Sequence, residues 1–124
     1  MTLAELYKEI DGDYEQALKV LRIEKLIDKH IRRFPSNTVF ADLDEAGKEM
    51  DAVKLFESAH AIKGVCSNLG LVKLSDIAAG ICDEFRPGNA RNLTDDEIRD
   101  MIGRVDAMFA KAAAGIEKYE QSGQ

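Results

Sequence analysis

The chain has 124 residues, a length that suits one domain with one hydrophobic core and needs neither metal nor disulfide to hold it. Its 17 basic and 23 acidic residues leave a net charge of −6, which argues against a protein that grips a phosphate backbone. With 45% hydrophobic residues, 32% charged residues, two prolines, no Trp and 6% aromatics, the composition favours a folded helical domain over a β-sandwich or a disordered chain. No apolar run approaches the roughly 20 residues needed to span a bilayer. Met1-Thr2-Leu3-Ala4-Glu5 also lacks the basic start and apolar stretch of a secretory leader. Neither nucleic acid nor membrane is expected as a partner, and the cytoplasm is the expected compartment.

Almost every apolar segment recurs at helical spacing, and none sustains the period-two alternation of a strand. Leu3, Leu6, Tyr7 and Ile10 make a short first helix, ended by Asp11-Gly12. Asp13 can cap a second, carrying Ala17, Leu18 and Leu21. A third carries Ile23, Leu26, Ile27, His30, Ile31 and Phe34 and stops near Pro35. No Gly or Pro marks where the second gives way to the third. Ser36, Asn37 or Thr38 starts a fourth, with Val39, Phe40, Leu43 and Ala46 inward and Gly47 near its end.

Asp51 is the expected N-cap of a fifth helix carrying Leu55, Ala59, Ile62, Cys66 and Leu69, punctuated by Gly70. A sixth repeats the spacing with Leu74, Ile77, Ala78, Ile81, Cys82 and Phe85 and breaks at Pro87-Gly88. Thr94-Asp95-Asp96-Glu97 then reads as a capping box whose acidic first turn suits the positive end of the helix dipole. The seventh runs from there through Ile98, Ile102, Val105, Ala112, Ile116 and Tyr119. Short links between the four longest segments favour antiparallel neighbours. The expected fold is all-α, a single domain over residues 1–124 built as an up-down-up-down four-helix bundle with short extra N-terminal helices.

Cys66 and Cys82 fall in apolar helical patterns and are expected as buried, reduced thiols. With His30 and His60 they offer four potential zinc ligands, but the spacings match no compact metal motif, so no metal site is expected. His30, between Ile27 and Ile31, reads as a partly buried packing residue that hydrogen-bonds a neighbour.

The fifth helix holds the one unusual constellation, Ala59-His60-Ala61-Ile62-Lys63-Gly64-Val65-Cys66-Ser67-Asn68-Leu69-Gly70. At about 100° per residue, His60 points about 140° away from the apolar stripe, toward solvent. Lys63, Gly64 and Ser67 lie beside it, and Phe56 and Val53 extend the same face toward the helix start. Lys63 is the only basic residue between Lys54 and Lys73. Each part has an ordinary explanation, since exposed helical His and Lys are usually just solvated. Gly64 is harder to explain, because a helix-interior glycine costs about 1 kcal/mol relative to Ala and the apolar spacing runs on past it. Such a residue suggests that something comes close to that surface.

This arrangement suits reversible phosphoryl transfer. A neutral imidazole is a good nucleophile near neutral pH, and an outward position gives it room for in-line approach. Lys63 can set a positive charge beside the phosphoryl oxygens, and Gly64 clears space for the group or its donor. An apolar rim from Phe56 and Val53 gives a partner something to dock on.

The stretch Ala59-His60-Ala61-Ile62-Lys63-Gly64, followed by Asn68-Leu69-Gly70, resembles the signature of histidine-containing phosphotransfer (HPt) domains. The likeness extends through the Phe34 region, the acidic Glu45–Asp51 link, the paired helices and the length. It implies a phosphocarrier in a two-component phosphorelay, not an enzyme with autokinase activity. In that reading His60 accepts a phosphoryl group from a receiver-domain aspartate or a kinase system and passes it to another receiver. Lys63 steadies the charge, Gly64 gives clearance and Ser67 can hydrogen-bond near the site. Val53, Phe56 and Glu57 form the partner-binding surface. The resemblance implies response-regulator receivers and a sensor or hybrid histidine kinase as partners of a monomer. It also implies no cofactor on this chain, Mg²⁺ belonging to the receiver.

Two rivals remain at this point. A histidine-kinase dimerisation helix usually places an acidic residue directly after its histidine and is followed by a nucleotide-binding domain. Here Ala61 follows, and only two more helices come after. The other rival is a bundle, including a degenerate HPt domain, that docks a receiver or kinase without transfer.

Overall fold

A computed structural model describes residues 1–123. All of its regular structure is helical: α1 (Leu3–Glu9), α2 (Tyr14–Leu21), α3 (Glu24–Arg33), a 3₁₀ turn (Phe34–Ser36), α4 (Val39–Glu49), α5 (Ala52–Asn68), α6 (Val72–Glu84) and α7 (Asp95–Gln121). Helix α5 packs most extensively on α6 and next on α4, while α7 closes the ring against both α4 and α6. The expected bundle is therefore α4–α7. The connections from α4 to α5 and from α5 to α6 are two and three residues long, which forces antiparallel neighbours.

The caps expected from local chemistry are in place. Asp13 and Asp51 accept from the amides of Gln16 and Lys54, and Thr94 and Glu97 complete a reciprocal capping box at the start of α7. Two boundaries have a different origin. The break between α2 and α3 falls at Arg22, whose φ is +75°, followed by Ile23 as a cap without a side-chain bond. Helix α4 runs past Gly47 and ends on Met50 in the left-handed conformation, φ +50°. Gly47 serves packing instead, because a Cβ there would lie 2.7 Å from Cδ1 of Ile102 on α7.

The core runs the length of the bundle, with Leu43, Leu55, Ile62, Ile81, Ile98, Val105 and Ile116 fully buried. Helices α1–α3 close one end. Asp28 of α3 accepts a 2.5 Å bond from the Tyr119 hydroxyl of α7, and Arg32 lies over the Tyr119 ring. At the end of α5, Leu69 O accepts from the buried Tyr7 hydroxyl at 2.7 Å, and Gly70 O accepts from the Asp13 amide at 2.7 Å. Gly70 has φ +70°, and a Cβ on it would lie 2.2 Å from the Asp13 carbonyl oxygen, so only glycine fits this junction. These contacts fasten the end of α5 to the N-terminal helices. No helix among the described residues is long and apolar enough to cross a membrane.

Candidate functional site

Helix α5 displays His60 to solvent while Leu55, Ser58, Ala59, Ile62 and Cys66 face inward. The imidazole stacks on the Phe56 ring one turn earlier, with centroids 5.9 Å apart and planes 16° from parallel. That contact favours one orientation for a side chain that would otherwise sample several rotamers. Phe56 is half-buried, Val53 is 67% exposed, and Glu57 is exposed on the flank facing α4.

Lys63 is half-buried and Gly64 is exposed. A Cβ built on Gly64 meets nothing within 4 Å, so the protein's own packing does not require glycine there. Gly103, inside α7, is equally open. An open helical glycine is therefore not a signature by itself; what sets Gly64 apart is the imidazole and ammonium beside it.

Ser67 bonds the Ser75 hydroxyl of α6 at 2.6 Å, and Ser75 in turn donates to the Lys63 carbonyl at 3.3 Å. The Ser67 hydroxyl is thus engaged with α6 and not with the imidazole. Its effect is to tie the turn carrying Lys63 and Gly64 to the neighbouring helix.

A residue that the sequence reading missed comes from the end of α6. Arg86 sits with its guanidinium carbon 5.6 Å from the centroid of Phe56, on the ring that also carries His60. Asp83 holds it through a 2.9 Å bond. Burial raises the titration of the Cys82 thiol, and the charges of Arg86 and Lys63 both act against that rise. Lys63 is alone in its stretch of sequence but not in space. The only hint in the sequence is a basic residue just before the Pro87-Gly88 break.

Cys66 and Cys82 are buried free thiols, and burial pushes Cys66 up to about 12, which makes it inert at neutral pH. His30 departs from expectation. It is exposed, because Ile27 and Ile31 form the buried stripe of α3 and His30 stands at the open rim between α3 and the end of α5.

His60 is thus an exposed imidazole stacked on Phe56, with Lys63 three residues further along the same helix and Arg86 over the same Phe56 ring. A family model described as Hpt domain matches residues 22–114, three-quarters of the chain, and the chain belongs to that family. Members are phosphocarriers of two-component signalling that meet receiver domains and histidine kinases. No curated protein and no solved structure matches the chain. The matched region starts at Arg22, so α1 and α2, which hold the end of α5, lie outside it.

Proposed function

We propose that the protein is a phosphorelay intermediate that carries a phosphoryl group on His60 between receiver-domain aspartates, without autokinase activity. The observation that carries this reading is an exposed imidazole stacked on Phe56, with Lys63 three residues further along the helix, Arg86 over the same Phe56 ring, and open space over Gly64. The lone pair of a ring nitrogen forms the new P–N bond as the P–O bond to the donor aspartate breaks, and the carboxylate leaves with that electron pair. The three phosphoryl oxygens carry the charge through this step, which is where two nearby cations act. Reversal onto a second aspartate needs the same groups. Metal chemistry falls to the receiver, and this chain supplies the nucleophile, the cations and the docking face of Val53, Phe56 and Glu57.

The test is incubation with a receiver carrying radiolabelled aspartyl phosphate. Transfer gives label on this chain that survives base and is lost in acid, as a phosphoramidate should be. His60→Gln, an exposed substitution that leaves the core alone, should take up none. Equal labelling of the variant would remove His60 from the mechanism, and docking without label would leave a non-transferring adaptor.

A further inference from the structure

One flank of α5 borders two clefts of opposite character. Between α4 and the first half of α5, Asp42, Glu45, Glu49 and Glu57 line a cleft with Lys54 as its one cation. Between α3 and the end of α5 lies a second cleft of about 290 Å³, and none of its lining residues is acidic. In a chain with 23 acidic residues, that absence is distinctive. Phe34 and Leu69, 2% and 3% exposed, form an apolar floor, flanked by Leu21 and Val65. The rim is polar: His30 and Arg33 on successive turns of α3, facing the amides of Asn37 and Asn68.

Arg33 takes part in none of the ion pairs among the described residues, so its guanidinium fork is unspent. The Asn37 carbonyl oxygen already accepts from the Val39 amide at 3.1 Å, which leaves the donor end of that side chain for a guest. The rim therefore offers donors above an apolar base. A wholly apolar guest would gain nothing from those exposed donors, and a cation would meet Arg33.

We propose that this cleft binds a small amphipathic monocarboxylate. Its hydrocarbon body rests on Phe34, Val65 and Leu69, and its carboxylate meets Arg33, His30 and the amides. One permanent cation matches one negative charge, and the planar fork of arginine suits a carboxylate. The volume lies at the small end of the range for small-molecule sites, room for a phenyl ring on a short chain. Val65, the lining residue of α5 nearest His60, lies about 7.5 Å along the helix axis and about 140° around it, so the guest touches α5 without touching the imidazole. The site stands on its own geometry and does not depend on phosphoryl transfer at His60.

The experiment is a titration of the whole protein with 4-phenylbutyrate, followed by amide chemical shifts in two-dimensional NMR. The expected result is saturable shifts centred on His30, Arg33, Asn37, Val65 and Asn68. Inorganic phosphate and 4-phenylbutanol, which carry only half of the recognised chemistry, should bind at least tenfold more weakly. Arg33→Glu and Asn68→Asp are both exposed substitutions that reverse or add charge at the rim, and each should weaken binding at least tenfold with the remaining spectrum unchanged. The assignment is overturned if the alcohol binds as well as the carboxylate, or if both variants bind normally. It is equally overturned if the shifts gather instead on the exposed apolar side chains Val20 and Ile23. Finally, if the cleft residues shift when the protein alone is concentrated, a second copy covers them and the small-ligand assignment fails.

Discussion

Replacing Gly64 separates what the fold needs from what a partner needs. A Cβ at Gly64 touches nothing within 4 Å and the backbone there is ordinary helix, so Gly64→Ala should stabilise the protein by about 1 kcal/mol through helix propensity alone. A chain of 124 residues has an unfolding entropy of about 0.26 kcal/mol/K, so that gain should raise the melting temperature by about 4 °C. Gly103→Ala is an internal control, because that glycine is just as open but sits on α7 away from His60. Both variants should melt higher in calorimetry. Only the Gly64 series should lose phosphoryl transfer from a labelled receiver, mildly for Ala and severely for Leu. If Gly64→Ala melts lower than the parent, glycine is there for the fold and the clearance explanation collapses. If Gly64→Leu transfers at the parent's rate, no partner comes close to that turn.

Other substitutions test other links. Gly70→Ala must place a Cβ against the Asp13 carbonyl in a left-handed backbone, and should lower stability by about 2–4 kcal/mol in urea unfolding. Lys63→Ala and Arg86→Ala should each slow transfer while changing stability by less than about 1 kcal/mol; a larger loss on unfolding would make them structural. Asp106 faces Asp44, and burial together with that shared contact raises it to about 7 from an ordinary carboxylate value. A raised acid favours the folded state while protonated, so its contribution is complete below about pH 4 and is lost as pH climbs through 7. Asp106→Asn should therefore gain stability over the parent progressively between pH 4 and pH 8, read from melting curves across that range; a constant difference would show that the carboxyl does not titrate within it.

How much was legible in the sequence depended on how far apart the deciding atoms lie. The capping box at Thr94 and the caps at Asp13 and Asp51 involve groups three residues apart, and they were read correctly. The outward direction of His60 followed from helical spacing alone. The break at Arg22 was not legible, because a positive φ on a non-glycine residue is imposed by how α2 and α3 pack on the bundle. Gly47 lies near the end of α4 as expected, but the end itself is made at Met50, and the glycine admits the approach of Ile102 from α7. His30 read as half-buried because it neighbours Ile31, yet exposure there depends on whether another helix covers the flank of α3. Arg86 and Ser75 belong to the His60 neighbourhood only once α6 folds back along α5.

The fastenings of α5 bear on which molecule has to move during an encounter. Its end is held by the Tyr7 and Asp13 bonds at Leu69 and Gly70, and its middle by the hydroxyl chain from Ser67 through Ser75 to the Lys63 carbonyl. A helix gripped at both places can neither roll about its axis nor slide along it without breaking several bonds together. The helix that carries the imidazole is thus tied to its neighbours at two places, and the imidazole itself stacks on Phe56. Under the proposed transfer, reorientation and the final approach then fall to the incoming domain, and one such surface serves more than one visitor.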